Sequence, residues 1–443
     1  MEFVRSIGRW ALAGLVINCI IGSGIFGIPG ELTRRLGRAS PLAMIAAGLA
    51  MATIMACYAE VASQFTEPGG SYLYVRTAFG RFAGMQAGWF WLLSLLGGCA
   101  ANANLLVTYL AGMFPQTAHG WTRAAILTAV IAIPVAANYR GVRAGANVSS
   151  VLTVAKLAPL GILIALGLWR FGHAAQTIHP AEIITPGWKA WAESLLLVIF
   201  AYEGYEDTVV PSGEVKNPRK SIPFALFTGM AVCMAVYALL QFVTVATIGN
   251  QATDRPIGAV AAVLLGPGGE TFVAIAVMLS VYGYISAAIL NAPRLASAFA
   301  ENGDGPEWLG RLHPRFRTPG LAIFLFAALV WILALTGTFL WALALAVGAS
   351  TIYYGGVCAS LIRLRRMRPN AEALRIRWGP VWAVLGIIFS PLMLTQMDVR
   401  EALLMLVTAG LAAANWWWAR QRGAGAGATP SCQIKDSATG AVR

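Results

Sequence analysis

The chain has 443 residues, 58% of them hydrophobic and only 12% charged, with a net charge of +13 and a mean hydropathy of +0.67. A soluble domain carries roughly 25% charged residues, so a globule of this size would lack the polar surface to cover itself. Nor does the positive charge point to nucleic acid, because it gathers in loops on one side of a series of apolar segments.

A membrane-crossing helix needs roughly 20 apolar residues. Twelve segments meet or approach that length: approximately 10–35, 41–64, 82–111, 122–139, 148–169, 191–211, 222–249, 271–297, 320–336, 338–362, 379–397 and 401–419. Two are interrupted by charge, the fifth by Lys156 and the sixth by Glu203, Glu206 and Asp207. The first runs past a cleavable length without a small-residue cleavage site, so it is expected to be a span rather than a removed signal peptide. With the N-terminus inside, most of the 32 Lys and Arg fall on the inner side. This bias predicts cytoplasmic N- and C-termini in a bacterial inner membrane. Arg363, Arg365, Arg366, Arg368, Arg375 and Arg377 would then face anionic lipid from one cytoplasmic loop.

The first span carries Ile20-Ile21-Gly22-Ser23-Gly24-Ile25-Phe26-Gly27-Ile28-Pro29-Gly30. A helical Gly costs about 1 kcal/mol against Ala and a Pro about 3, so this cluster is expected to unwind the helix. Lipid cannot satisfy the freed backbone groups, and the break must face protein or a wet cavity. Close packing of small residues is the plainer reading of such a run. The break reading gains weight from the sixth span, which reads Phe200-Ala201-Tyr202-Glu203-Gly204-Tyr205-Glu206-Asp207 at a similar depth. Interrupted segments at matching positions in two halves point to a transport site. Amides of Ser23, Gly24 and Ile25 would begin a helix and favour a carboxylate. Open carbonyls near Ile20, Phe200 and Glu203 would accept an ammonium. Amides on one side and carbonyls on the other suit a zwitterion, with Gly22, Ala201, Tyr202 and Gly204 completing the two breaks.

Asn102 and Asn104 in the third span, and Tyr282 and Tyr284 in the eighth, are candidates to touch a substrate side chain, although polar residues in spans often only bond neighbouring helices. Trp416, Trp417 and Trp418 suit an interfacial anchor. The six cysteines form no CxxC pair and the four histidines lie in loops, so neither metal nor cofactor is expected. After the membrane domain, residues 1–420, the segment 421–443 is rich in Gly, Ala, Ser and Thr and is expected to be a disordered cytoplasmic tail.

These residues resemble the amino acid–polyamine–organocation (APC) superfamily of permeases. The run 21–30 resembles that family's first-span signature. Tyr58-Ala59-Glu60 followed by Glu67-Pro68-Gly69-Gly70-Ser71-Tyr72-Leu73-Tyr74 resembles its second span and first cytoplasmic loop. The segment 200–207 with Gly213-Glu214-Val215-Lys216-Asn217-Pro218-Arg219-Lys220-Ser221-Ile222-Pro223 resembles its sixth span and following loop. Asn291-Ala292-Pro293-Arg294, Asp304-Gly305, His313-Pro314 and Thr318-Pro319 resemble the loop after the eighth.

The resemblance implies an all-α polytopic fold of twelve transmembrane helices. It is a five-plus-five inverted repeat like that of the leucine transporter, over approximately 10–169 and 191–362, with two extra spans within 379–419. It also implies alternating access. Ser23 and Gly24 fall where the family holds the substrate carboxylate, and Ile20, Phe200 and Glu203 where carbonyls hold the amino group. Glu203 departs from the apolar or small residue common at its position, and an acid there could recruit a basic or polar side chain. Lys156 matches a lysine that replaces a sodium ion in proton-coupled members, with Ser286 at compatible depth. Lys156 is expected either to carry a proton or to pin neighbouring helices by bonding broken-helix carbonyls. Glu206 is a second candidate proton carrier, with a purely structural acid as its alternative. Glu60 and Glu214 are expected to organise cytoplasmic loops.

The favoured function is secondary active transport of amino acids or related amines by proton symport. An amino acid/amine exchanger is the alternative. A channel fits poorly with opposed mid-membrane breaks. A membrane enzyme would need a nucleophile–base or metal cluster that the spans lack. A monomer and a homodimer stay equally open.

Overall fold

A computed structural model of the chain describes residues 8–65, 69–140, 145–173, 185–209, 215–249, 251, 253–311, 313, 316, 318–369 and 373–425. Of the sequence motifs, Glu67-Pro68, Gly213-Glu214, Pro314 and nearly all of the 421–443 tail lie outside the described residues.

The described residues are helical and contain no β-strand. The helices are α1 (Arg9–Ile20), α2 (Gly24–Leu36), α3 (Ser40–Ala62), α4 (Gly70–Phe79), α5 (Arg81–Met113), α6 (Gly120–Tyr139), α7 (Gly145–His173), α8 (Trp188–Tyr202), α9 (Pro218–Ile248), α10 (Pro256–Leu265), α11 (Gly269–Glu301), α12 (Gly320–Thr336), α13 (Phe339–Met367), α14 (Gly379–Leu394) and α15 (Val399–Gly425). Among the described residues, eight helical stretches are long and apolar enough to cross a membrane, and four shorter apolar helices accompany them. Three differences from the twelve segments read along the chain have plain causes. The first segment splits into α1 and α2, neither of which reaches spanning length alone. α2 then continues through a tight turn into α3, so that 24–62 forms one helical stretch. The short helices α4 and α10 fall in regions expected to be loops, because ten residues are too few to register as a span.

α4 and α10 expose a similarity between the halves. In each, a long helix (α3 or α9) leads to a ten-residue helix and then to one of 33 residues, α5 or α11. α5 forms the centre, with 94% of its most apolar stretch buried, and packs on α13, α11, α12 and α15. By contrast, the corresponding stretches of α6, α7 and α15 are only 22% buried. Their outward faces carry large apolar side chains such as Ile133, Trp169 and Leu406, more than half exposed, as expected of helices whose solvent is lipid. The protein is a multi-pass membrane protein.

A candidate substrate site at two touching helix breaks

α1 ends at Ile20 and α2 begins at Gly24, so residues 21–23 are non-helical. α8 ends at Tyr202, Glu203 and Gly204 are non-helical, and a 3-10 turn follows over Tyr205–Val209. At 1.5 Å per residue, the 12 residues of α1 reach about 18 Å and the 15 of α8 about 22 Å. Each therefore stops partway across a hydrocarbon layer of about 30 Å.

The breaks touch. A Cβ on Gly24 would lie 2.8 Å from the Ala201 Cα, and one on Gly204 would lie 2.4 Å from the Cys19 carbonyl oxygen. Neither position has room for a side chain. Gly204 also has φ +104°, which L-residues with a Cβ rarely adopt. Glycine at both places is required by backbone approaching backbone.

The start of α2 leaves donors free. The Gly22 amide donates to the Ile20 carbonyl, and those of Phe26 and Gly27 donate to the Ser23 carbonyl. The amides of Ser23, Gly24 and Ile25 have no acceptor among the described residues. They form the positive end of a helix. Ser23 is fully buried, and its hydroxyl has no partner among the described residues.

The free acceptors lie chiefly on the other break. The carbonyls of Ala201, Tyr202 and Glu203 receive no hydrogen bond among the described residues, and that of Phe200 receives only the Glu203 amide at 3.4 Å. The Ile20 carbonyl, expected to be open, instead accepts from the Gly22 amide at 2.9 Å and the Tyr237 hydroxyl at 3.2 Å.

Lys156 is fully buried on α7. Its Nζ donates to the carbonyls of Asn18 and Ile21, each at 3.0 Å. It thus satisfies acceptors that the break in α1 frees. Ser280, rather than the expected Ser286, accompanies it by donating to Ile21 O at 3.3 Å. Ser286 instead accepts from the Asn138 side chain on α6. Six residues along a helix rotate the side chain by about 240° at 3.6 residues per turn, so the two serines face different neighbours.

The same rotation corrects Tyr282. It is 37% exposed, whereas Tyr284 faces inward. The Tyr284 ring lies 3.6 Å from a Cβ position on Gly22, and its hydroxyl fills the space beside Gly98. On α5, Asn102 is fully buried and close to Gly22, with its Oδ1 unpartnered. Asn104 is committed elsewhere: its amide donates to the carbonyls of Ala100 and Ala334, and its oxygen accepts from Arg123 at 2.6 Å.

The second break is acidic and leans on α13. Ser350 donates to Glu203. The hydroxyls of Tyr353 and Tyr354 donate to Glu206 Oε1 at 3.0 and 2.9 Å, and the Gly204 amide donates to its Oε2 at 3.0 Å. These partners were missed in the sequence. Their signal was a polar face, Ser350 with Tyr353 and Tyr354, at helical spacing in an otherwise apolar span.

Below Glu206, a void of about 10 Å³, the size of one water, is bounded by Gly70, Ser71, Trp91 and Arg294. At the other end of α5 and α13 a cavity of about 510 Å³ is lined by residues including Asn104, Arg123, Arg255 and Phe339. On the side of the arginine cluster, Glu60 binds Arg365 through both carboxylate oxygens, at 2.5 and 2.6 Å. Asp304, fully buried, accepts from Tyr72, Arg76 and Arg81. No group of three or more His, Cys, Asp or Glu residues that could hold a metal occurs among the described residues.

A family model described as amino acid permease matches residues 7–421. The chain belongs to that family. It is a permease, and its relatives are transporters rather than enzymes. It is similar to the serine/threonine exchanger of Bacillus subtilis, with 28% identity over 75% of this chain and 76% of the relative. It is also similar to the glutamate/serine transporter of that organism, with 24% identity over 96% of this chain and 83% of the relative. The methylthioribose transporter of Bacillus subtilis is 26% identical over 72% of each chain.

Proposed function

We propose that this permease is a secondary active transporter that carries amino acids across a bacterial inner membrane by alternating access, coupled to proton symport. The observation that carries the reading is the contact between the two breaks, which sets three free amides opposite free carbonyls in one buried place. A carboxylate on Ser23, Gly24 and Ile25 and an ammonium on the α8 carbonyls satisfy both ends of a zwitterion. Phe200, Ala201, Tyr202, Glu203, Gly204, Gly22 and Asn102 enclose it, and Tyr284 takes the place expected of Tyr282. Ile20 contributes packing rather than an open carbonyl.

The fold in this reading has twelve spans, with the first and sixth broken, and both termini are cytoplasmic. The paired sequence of long, ten-residue and 33-residue helices supports a five-plus-five inverted repeat. Lys156 then joins α7 to the broken α1 and carries the coupled proton, with Glu206 as a second carrier. Release of that proton would leave Nζ two N–H donors for Asn18 O and Ile21 O but remove the charge that strengthens both bonds.

The similarity to a serine/threonine exchanger favours a second reading, amino acid exchange. Proteoliposomes separate the two. Symport predicts that an inward proton gradient drives net L-serine uptake and that Lys156→Ala abolishes this uptake while the protein stays folded. Exchange predicts uptake only against internal amino acid, unaffected by the gradient. Full gradient-driven uptake by Lys156→Ala would remove Lys156 from the coupling.

A further inference from the structure

The second break buries more negative charge than its surroundings balance. Glu203 and Glu206 are 8% and 6% exposed, and Asp207 adjoins them. Among the described residues none of the three forms an ion pair. The buried cation at the site, Lys156, spends its hydrogen bonds on the carbonyls of Asn18 and Ile21. Glu206 is well held by two tyrosine hydroxyls and the Gly204 amide. Glu203 has only the Ser350 hydroxyl. An ionised carboxylate kept from water needs a compensating charge or several donors.

A second observation lies on the facing helix. The Oδ1 of Asn102, on a fully buried residue, has no donor among the described residues and lies about 4 Å from the Cβ position of Gly22 in the first break. An acceptor without a donor thus lies beside the first break, and a carboxylate with one donor beside the second. A zwitterion with a neutral side chain spends its only positive group on the α8 carbonyls and leaves the oxygens of Asn102 and Glu203 unmet.

Resting on the amino acid transport reading above, we infer that Glu203 is a specificity-determining residue and that the substrates it selects carry a second positive group, an ammonium or guanidinium on the side chain. Glu203 and Ser350 receive that group. The two amine-bearing sources of this chemistry are basic amino acids and diamines. They differ in the carboxylate that the Ser23–Ile25 amides take, so basic amino acids are the better fit.

The test is binding to the purified full chain in lipid nanodiscs by isothermal titration, with L-lysine, L-ornithine, L-arginine, L-serine and the diamine cadaverine as probes. At least one basic amino acid is expected to bind about tenfold or more tightly than L-serine, the scale of one hydrogen bond to a charged group. Glu203→Gln, which keeps the shape, should erase that preference, bringing the ratio of basic amino acid to L-serine affinity down to about one. Cadaverine should bind more weakly than the basic amino acids. L-Serine binding as tightly as every basic amino acid in the wild type overturns the inference, as does a preference untouched in Glu203→Gln. If Glu203→Gln does not fold, the wild-type ranking decides alone. Tighter binding of cadaverine than of the basic amino acids would keep Glu203 as the cation site but overturn the carboxylate's place on α2. Binding of no amino acid at all defeats the transport reading itself, an outcome distinct from loss of the preference alone.

Discussion

The two breaks meet at one place but are built in opposite ways. The first, 21–23, presents main chain: three free amides, small residues, and a lysine from α7 that satisfies the carbonyls left behind. The second, 203–204, presents side chains: Glu203 and Glu206, held by hydroxyls from α13. The first is therefore a generic binder of the carboxylate that every amino acid shares. The second is where this chain can differ from others of its fold, because side chains change by substitution and backbone does not.

The sharpest way to break the comparison is to add atoms where the breaks touch. Gly24→Leu places a Cβ 2.8 Å from the Ala201 Cα. Overpacking of this kind costs about 1–3 kcal/mol, and relief requires the breaks to part. Saturable amino acid binding should disappear from titrations of the purified protein. Unchanged affinity would mean that the substrate binds elsewhere. Gly204→Ala adds strain at φ +104° to a 2.4 Å approach to Cys19 O, and the strain alone is worth about 1–3 kcal/mol. Its thermal unfolding midpoint should fall even without ligand.

Next in size is the lysine. Lys156→Ala leaves the carbonyls of Asn18 and Ile21 short of a donor in a dry interior, at about 1–3 kcal/mol for each unsatisfied group. Ser280 still reaches Ile21 O, so the loss should fall below the sum of two. A lowered unfolding midpoint with correct insertion is expected. A midpoint equal to wild type would show that Lys156 does not brace the first break.

On the acidic side, Tyr353→Phe and Tyr354→Phe each remove one hydrogen bond to Glu206 Oε1. A bond to a charged group contributes about 1.5–3 kcal/mol, but the remaining hydroxyl shares the load. Single variants should therefore lose less than half of what the double variant loses in thermal stability. Strict additivity would show that the two hydroxyls act independently.

How far these features could be read from sequence follows the same division. The break in α1 was legible because Gly22, Gly24, Gly27 and Pro29 carry intrinsic backbone preferences that need no tertiary context. Lys156 was legible because a charge in a membrane segment is rare and must find a partner. Its bonding to the first break is legible too, whereas the serine beside it is not: depth alone does not tell Ser286 from Ser280, which faces Ile21 O. α13 was read as an ordinary span, since Ser350, Tyr353 and Tyr354 acquire meaning only when the fold brings them to Glu203 and Glu206, about 150 residues away in sequence. Hydropathy marks where the chain crosses. It does not mark which face of a helix looks inward when most faces are apolar, because the contrast that reveals an amphipathic helix in water is absent in lipid.

Tyr282 and Tyr284 give the smallest and cleanest test of that last point. They are two residues apart on α11, about 200° around the helix, so only one can face the site. Tyr282 is 37% exposed, and Tyr284 packs against Gly22 and Gly98. Tyr282→Leu exchanges one exposed side chain for another and should change affinity and stability by no more than about 0.5 kcal/mol. Tyr284→Leu removes the ring that fills the niche beside both glycines, and it should change the ranking of substrates by side-chain size. If Tyr282→Leu altered that ranking and Tyr284→Leu did not, α11 would be rotated by half a turn from its place here, and Ser280 would no longer share Ile21 O with Lys156.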